Sequence, residues 1–212
     1  MGNKRIFLLM FISVIFLGLR LWNLEKRINF SMDQGESMLM AYEIWSQRQI
    51  TLIGPRASPV INGRHFFHGP ITYYWLIIVG IIGDWDPVKI TWIITLMSLI
   101  SMVFLYKAAA KLFSKKVAIL TIIIWTLLPK SIDFAGLIWN PNLLLIFVAP
   151  TLYVGILAIK DKKWWQFGLL GILLGWCLQC HFQAGLMIVL AGAVMNFKRI
   201  KLSKWIFYWR DL

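Results

Sequence analysis

Long apolar runs almost free of charge recur along this chain, and they constrain its fold more than any other feature. The first, Ile6–Leu24, carries only Arg20 as a charge; others cover Ile90–Tyr106, Val117–Leu128, Leu143–Ile159, Phe167–Leu178 and Phe182–Met195. Hydrocarbon offers no water to unpaired peptide groups, so a chain within it must pair them internally, and separate apolar runs do so as helices. With their flanks the runs approach the roughly 17–25 residues that a spanning helix needs. Only 15% of the residues are charged, against about a quarter in soluble domains. The chain therefore reads as an all-α polytopic membrane protein. A net charge of +13 would suggest nucleic acid in a soluble protein. Beside apolar runs it fixes topology instead, and no nucleic-acid partner is expected.

The basic residues cluster at Lys4/Arg5, Lys107/Lys111/Lys115/Lys116, Lys160/Lys162/Lys163 and Lys198/Arg199/Lys201/Lys204. Positive charge stays on the cytoplasmic side, so all four clusters belong there. Six spans satisfy this alternation, at about 6–24, 88–107, 117–129, 142–159, 164–180 and 182–197. The amino terminus is then cytoplasmic, in a cell (inner or plasma) membrane, and Ile6–Leu24, lacking a small-x-small cleavage site after it, is an uncleaved anchor. Pro70–Gly83 is too short to span and would invert everything after it, so it is expected to lie on the outer surface. The outer loop, about 25–87, would carry two interfacial helices at 34–48 and 70–83.

Within that loop, Met38, Ala41, Tyr42 and Trp45 share a helical stripe, which suits a helix lying on a leaflet. Asp33 occupies an N-cap position and Glu36 completes a capping-box pattern; an acid there is equally placed for chemistry. Gly54-Pro55, Pro59 and Asn62-Gly63 mark irregular chain. Arg64, His65 and His68 then meet the aromatic segment Thr72–Trp75, a pattern suited to an anionic lipid head group or to plain interfacial anchoring. Asn140-Pro141 reads as a turn with Asn140 as a cap. Gln179 and His181 sit between two apolar runs, where polar groups usually line a cavity. Cys177-Leu-Gln-Cys180-His181 matches a haem-attachment spacing, but its apolar surroundings favour small buried side chains over haem or a disulfide. No spacing argues for a metal; none is assigned, although a divalent ion is compatible with the chemistry.

Asp33-Gln-Gly, Phe67-His-Gly-Pro-Ile-Thr-Tyr-Tyr-Trp75, Ile138-Trp-Asn-Pro-Asn142 and Gly175-x-x-x-Gln-x-His181 together resemble the amino-terminal half of bacterial GT-C membrane glycosyltransferases. The likeness is to the protein-mannosyltransferase-like and aminoarabinose-transferase-like enzymes (glycosyltransferase family 39/83 type). It implies a GT-C-type transmembrane helix bundle with an outer juxtamembrane helical loop. It also implies transfer of a sugar from a polyprenyl-phosphate carrier to a lipid, protein or polysaccharide acceptor on the non-cytoplasmic face, with no organic cofactor. The family's first-loop acid falls on Asp33, while Gln34 replaces a second acid and Glu36 stands nearby. The family's carrier-phosphate element, Lys/His-Pro-Pro, appears as His68-Gly69-Pro70. Asn140-Pro141 stands for an Asp-Pro, and His181 lies where relatives put Lys or His. Family members are about twice as long, so the likeness implies that a carboxy-terminal half is missing.

That chemistry is coherent. A carboxylate, Asp33 or Glu36, would orient or deprotonate the acceptor hydroxyl. Arg64, His65, His68, Asn140, Gln179 and His181 would bind the substrate and receive the leaving phosphate's charge. Two readings of other classes compete: a transporter or flippase-like subunit for a lipid-linked substrate, with Gln179 and His181 on the pathway, and a non-catalytic membrane component.

Overall fold

A computed structural model describes residues 3–28 and 30–190. In chain order it contains α1 (Asn3–Leu21), α2 (Leu24–Arg27), α3 (Met32–Ser46), β1 (Arg56–Ile61), β2 (Arg64–Phe67), α4 (Ile71–Ile82), α5 (Pro87–Leu112), α6 (Lys115–Leu127), α7 (Pro129–Phe134), α8 (Asn140–Asp161) and α9 (Trp164–Cys180). A 3-10 turn, Phe182–Ala184, follows, and residues 185–190 are helical. The rest of the expected 182–197 span, the fourth basic cluster and residues 205–212 lie outside the described residues.

The flanks set the helix starts. Asp86 precedes Pro87 and its carboxylate accepts the Lys89 N–H at 2.9 Å. Ser114 does the same for Val117 at 3.2 Å, each closing one of the orphan donors of a first turn. The helices then pack in a layered order. α5 lies against α6 and α8, α9 covers α8, and α1 covers α5 and α6. Lys111 Nζ is 3.5 Å from Asp161, and Lys160 donates to the Lys111 carbonyl. The carboxy ends of α5 and α8 are therefore side by side, and α6 and α9 start back from that same end. Lys107, Lys111, Lys115, Lys116, Lys160, Lys162 and Lys163 gather there, far from α3, α4 and the hairpin.

Two helices, α5 and α8, are long and apolar enough to cross a bilayer among the described residues. α4, with 12 residues, reaches only about 18 Å at 1.5 Å per residue. The outward faces are as apolar as the inner ones. Phe7, Phe11 and Val14 on α1, Leu96 and Ile100 on α5, Leu120 and Ile124 on α6 and Ile172 on α9 are all exposed. Apolar surface on this scale is lipid-facing in a folded protein.

Arg20, the single charge in the first apolar run, is 1% exposed. Its guanidinium donates to the Phe16, Thr126 and Trp125 carbonyls at 3.2, 3.2 and 3.1 Å and to Ser131 Oγ at 2.7 Å, and lies 3.6 Å from the Phe16 ring centre. Trp125 and Thr126 end α6, where carbonyls lack helical partners. One buried cation thus caps a neighbouring helix and joins α1 to α6 and α7.

Four expectations are corrected. The stretch between α3 and α4, expected to be irregular chain, holds strands: β1 and β2 form an antiparallel hairpin with a register shift between Arg56 and Val60. Its turn, Asn62-Gly63, has φ of 51° and 72°, the pair of left-handed residues that a two-residue hairpin requires. Asp33 is not an N-cap and makes no capping box with Glu36. Ser31 holds the N-cap position without a side-chain capping bond, which places Asp33 inside the first turn. Asn140 is not a cap either, since Trp139 precedes α8 in that role. The buried stripe of α3 is Gln34, Met38, Ala41 and Ile44. Tyr42 and Trp45 lie outside it and cluster with Trp85, the Tyr42 and Trp85 rings meeting edge-on at 5.1 Å.

Candidate functional site

At the end opposite the lysines, a cleft of about 590 Å³ opens between α3, the start of β1, the α4 entry, the start of α8 and the chain after α9. Its making can be followed through main-chain bonds. Gly54 N–H donates to the His68 carbonyl at 3.1 Å, His68 N–H to the Pro55 carbonyl at 2.9 Å, and Gly69 N–H to the Gln179 carbonyl at 3.0 Å. Asn140 Nδ2 then donates to the Cys180 carbonyl at 3.0 Å. Four stretches distant in sequence are thereby laced into one rim. The approach is close enough that a Cβ on residue 54 would collide with the Gly69 carbonyl. A glycine is required there for space rather than for backbone conformation.

Gln34 adds the fifth tie. It is 3% exposed, and its Oε1 accepts the Ile138 N–H at 3.1 Å. A buried backbone donor just before Trp139 and Asn140 is thereby satisfied, and the α3 wall is locked to the α8 wall. At the neighbouring position Asn142 Nδ2 donates to the Leu137 carbonyl at 2.7 Å and also to Phe134. The Ile138–Asn142 segment is accordingly held from both sides.

Asp33, Glu36 and Ser37 line the α3 side. Because neither acid caps the helix, both carboxylates are exposed to the cleft, and neither takes part in a hydrogen bond or ion pair among the described residues. Tyr73, on the buried face of α4, lines the same space; burial, and secondarily the Glu36 charge, holds its phenol above the ordinary tyrosine range. From the rim, His68 stacks on His181 with ring centres 4.9 Å apart and planes at 28°, and meets the Phe182 ring at a 40° tilt with centres 4.5 Å apart. His68 Nδ1 is buried with no hydrogen-bond partner among the described residues. His181 Nδ1 accepts the Gln183 N–H at 3.2 Å, so the neutral ring carries its proton on Nε2. Burial pushes the His68 imidazole below its usual value, with His181 adding to the effect; burial alone does the same to His181. Both rings are neutral near pH 7.

Of the eight residues singled out from the sequence, Asp33, Glu36, His68, Asn140 and His181 line this cleft. Arg64 and His65 do not. They stand on β2, all four residues of which are exposed, and the protruding hairpin carries them off the rim. Gln179 lies outside the lining as well; its side chain packs on Gly69 while its carbonyl does the holding. Arg56, Tyr73, Trp139, Phe182 and Gln183 line the cleft without having been singled out. Tyr73 could have been found, since it shares a helical spacing with the buried Leu76, Val79 and Gly80. Arg56 had no signal, and its Nη2 sits 2.8 Å from His65 Nε2 across the hairpin, giving His65 a supporting place behind it.

Cys177 and Cys180 are free and buried; Cys177 Sγ lies 3.5 Å from Thr151 Oγ1, as a small core side chain would. Among the described residues no three His, Cys, Asp or Glu side chains converge on a common point.

A family model described as dolichyl-phosphate-mannose-protein mannosyltransferase matches residues 68–210, well over half the chain. The match opens on His68, the first residue of the laced rim to carry a titratable group. Comparisons with curated proteins and with solved structures return no significant match.

Proposed function

We propose, for a chain that belongs to the dolichyl-phosphate-mannose-protein mannosyltransferase family and is accordingly a membrane glycosyltransferase, that the cleft moves a sugar from a polyprenyl-phosphate carrier to a lipid, protein or polysaccharide acceptor. One observation carries this reading: two carboxylates with no hydrogen bond or ion pair among the described residues share one cleft with a stacked pair of imidazoles, one of which has a buried nitrogen without a partner among them. Glycosyl transfer from a phosphate ester requires those two kinds of group. The acceptor hydroxyl must be oriented and relieved of its proton as it attacks the anomeric carbon, and the phosphate that leaves must be received by donors.

In this reading Asp33 is the base and Glu36 assists in holding the acceptor. His68 and His181 face the departing phosphate, which His181 receives through its Nε2–H while the acceptor's proton passes to Asp33. Asn140 and Arg56 complete the polar lining. Arg64 and Gln179 have no direct part. The carrier's polyprenyl tail lies along the apolar flanks of the helices, so no soluble pocket is needed for it.

The lysine-rich end is cytoplasmic on the positive-inside rule, and the cleft faces the opposite side of a cell membrane. α1, α5, α8 and α9 cross the bilayer, and α6 crosses together with its flanking residues because it starts at the lysine-rich end and α8 starts at the other; α3 and α4 lie on its outer surface. The expected test result is that Asp33→Asn abolishes transfer from a radiolabelled polyprenyl-phosphate sugar while the protein still inserts and purifies normally. Transfer that survives this change overturns the catalytic assignment. For the topology, a cysteine at exposed Gln47 should react with an impermeant thiol reagent from outside; protection until the membrane is opened overturns the arrangement.

A further inference from the structure

Between α3 and β1 the chain makes a turn that displays aliphatic side chains on a hydrogen-bonded backbone. Ile50 is 85% exposed, Leu52 86% and Ile53 59%. Yet the backbone carrying them is pinned along its length. Gln49 N–H donates to the Ile44 carbonyl at 3.0 Å. Thr51 N–H donates to Tyr74 Oη at 3.1 Å, and the Tyr74 hydroxyl returns a bond to the Thr51 carbonyl at 2.8 Å. Thr51 Oγ1 bridges to both the carbonyl and the N–H of Ile53, and Gly54 closes the far side on His68. Tyr74 begins an α4 stripe that continues at helical spacing through Ile78, Ile81 and Ile82, all exposed. The turn and the stripe thus form one apolar surface, fixed in place and aimed away from the core.

Charge says what covers it. From Ile44 to Gly83 there is no Asp or Glu, while Arg48, Arg56 and Arg64 are present. Arg56 is engaged by His65. The guanidiniums of Arg48 and Arg64 make no hydrogen bond or ion pair among the described residues. A guanidinium matches phosphate with its fork of donors, and apolar side chains beside such cations seat at the boundary of headgroup and acyl chain.

We propose that Ile50–Ile53 form a finger inserted into the outer leaflet, with Arg48 and Arg64 holding anionic phospholipid headgroups on either side of it. This surface is separate from the sugar-transfer cleft, and the inference stands whether or not that cleft transfers sugar. It places the α3–β1 segment in lipid and makes the rim's position depend on lipid charge.

The test uses the full chain in nanodiscs of phosphatidylcholine alone or mixed with phosphatidylglycerol. Leu52→Cys is labelled with an environment-sensitive fluorophore, the unlabelled parent serving as the blank because Cys177 and Cys180 are buried. Shallow nitroxide-labelled lipid should quench the label several-fold more strongly than aqueous iodide. Quenching should deepen with phosphatidylglycerol, and Arg48→Glu with Arg64→Glu should abolish that increment. Ile50→Cys should repeat the pattern, which separates insertion from an accident of one site. A label quenched by iodide and untouched by lipid overturns the proposal. So does one shielded from both quenchers, which would place a protein surface or a second copy on the finger. Lipid quenching indifferent to phosphatidylglycerol overturns the role given to the arginines.

Discussion

Replacing Arg20 with methionine should destabilise the protein by several kcal/mol, although the change makes a membrane helix more apolar. Methionine fills much of the same volume, so packing is largely kept and the cost is one of hydrogen bonds. Phe16 retains its helical partner, but the Trp125 and Thr126 carbonyls at the end of α6 lose the Arg20 donors, and Ser131 loses its charged partner. A buried carbonyl left without a donor costs about 1–3 kcal/mol, so two of them cost about 2–6 kcal/mol. For a chain of this size that corresponds to a fall in midpoint of order ten degrees. Thermal unfolding can be followed by a thiol-reactive dye, because both cysteines are buried until the helices part. Arg20→Lys should recover only part of the loss, since a single ammonium lacks the planar fork that spans two carbonyls and a hydroxyl. A methionine variant that melts with the parent refutes the capping role of this residue.

Gln34→Ala should lower transfer by at least tenfold, with stability falling by about 1–3 kcal/mol as the Ile138 N–H loses its acceptor; unchanged kinetics would show that this tie does not position the rim. Gly54→Ala should force the β1 entry away from Gly69 and cost about 1–3 kcal/mol, read as an earlier melt together with lost transfer. The histidine pair gives two opposed pH dependences. Both rings have lowered values in the empty protein, so the unfolded chain binds protons more readily, and stability should fall as pH drops through about 6.5. A bound phosphate should raise both values, so affinity for a polyprenyl phosphate should instead strengthen as pH falls and weaken as it rises. Asp33, Glu36, Arg56 and Tyr73 share the cleft, so His68→Gln with His181→Gln must flatten both profiles; profiles that persist place the titration elsewhere.

An apolar run pairs its peptide groups internally as a helix, and the helix α9 begins and ends at residues 164 and 180, the bounds read for it from sequence. Five cleft residues were legible from a motif order that no single motif would have supported. What stayed hidden were choices made by tertiary contact. Arg64 and His65 looked like His68 in sequence, and only the pleat of a projecting hairpin separates them from the cleft. The Asn62-Gly63 signal for that hairpin was present, but the flanking prolines drew the eye to irregular chain. Asp33 and Glu36 satisfied a capping pattern three residues apart, yet the helix starts at Met32 and leaves both acids free. Gln34 read as a lost acid, whereas its value lies in an amide that can be buried without a charge. The capping role of Arg20 had no local signal, because its carbonyl partners Trp125 and Thr126 lie on α6, outside any local window.

The lacing of the rim also dictates an order of manufacture. α3, the hairpin and the start of α4 leave the ribosome first, but the partner of the Gly69 N–H is the Gln179 carbonyl, and that of Asn140 is Cys180. Until α9 has been synthesised and inserted, those groups and the stacked face of His68 await their counterparts. The early half of the loop must wait in unfinished form. Completion of the cleft is therefore timed by the arrival of α9 and the chain that follows it, and a ribosome paused before α9 would leave a siteless intermediate.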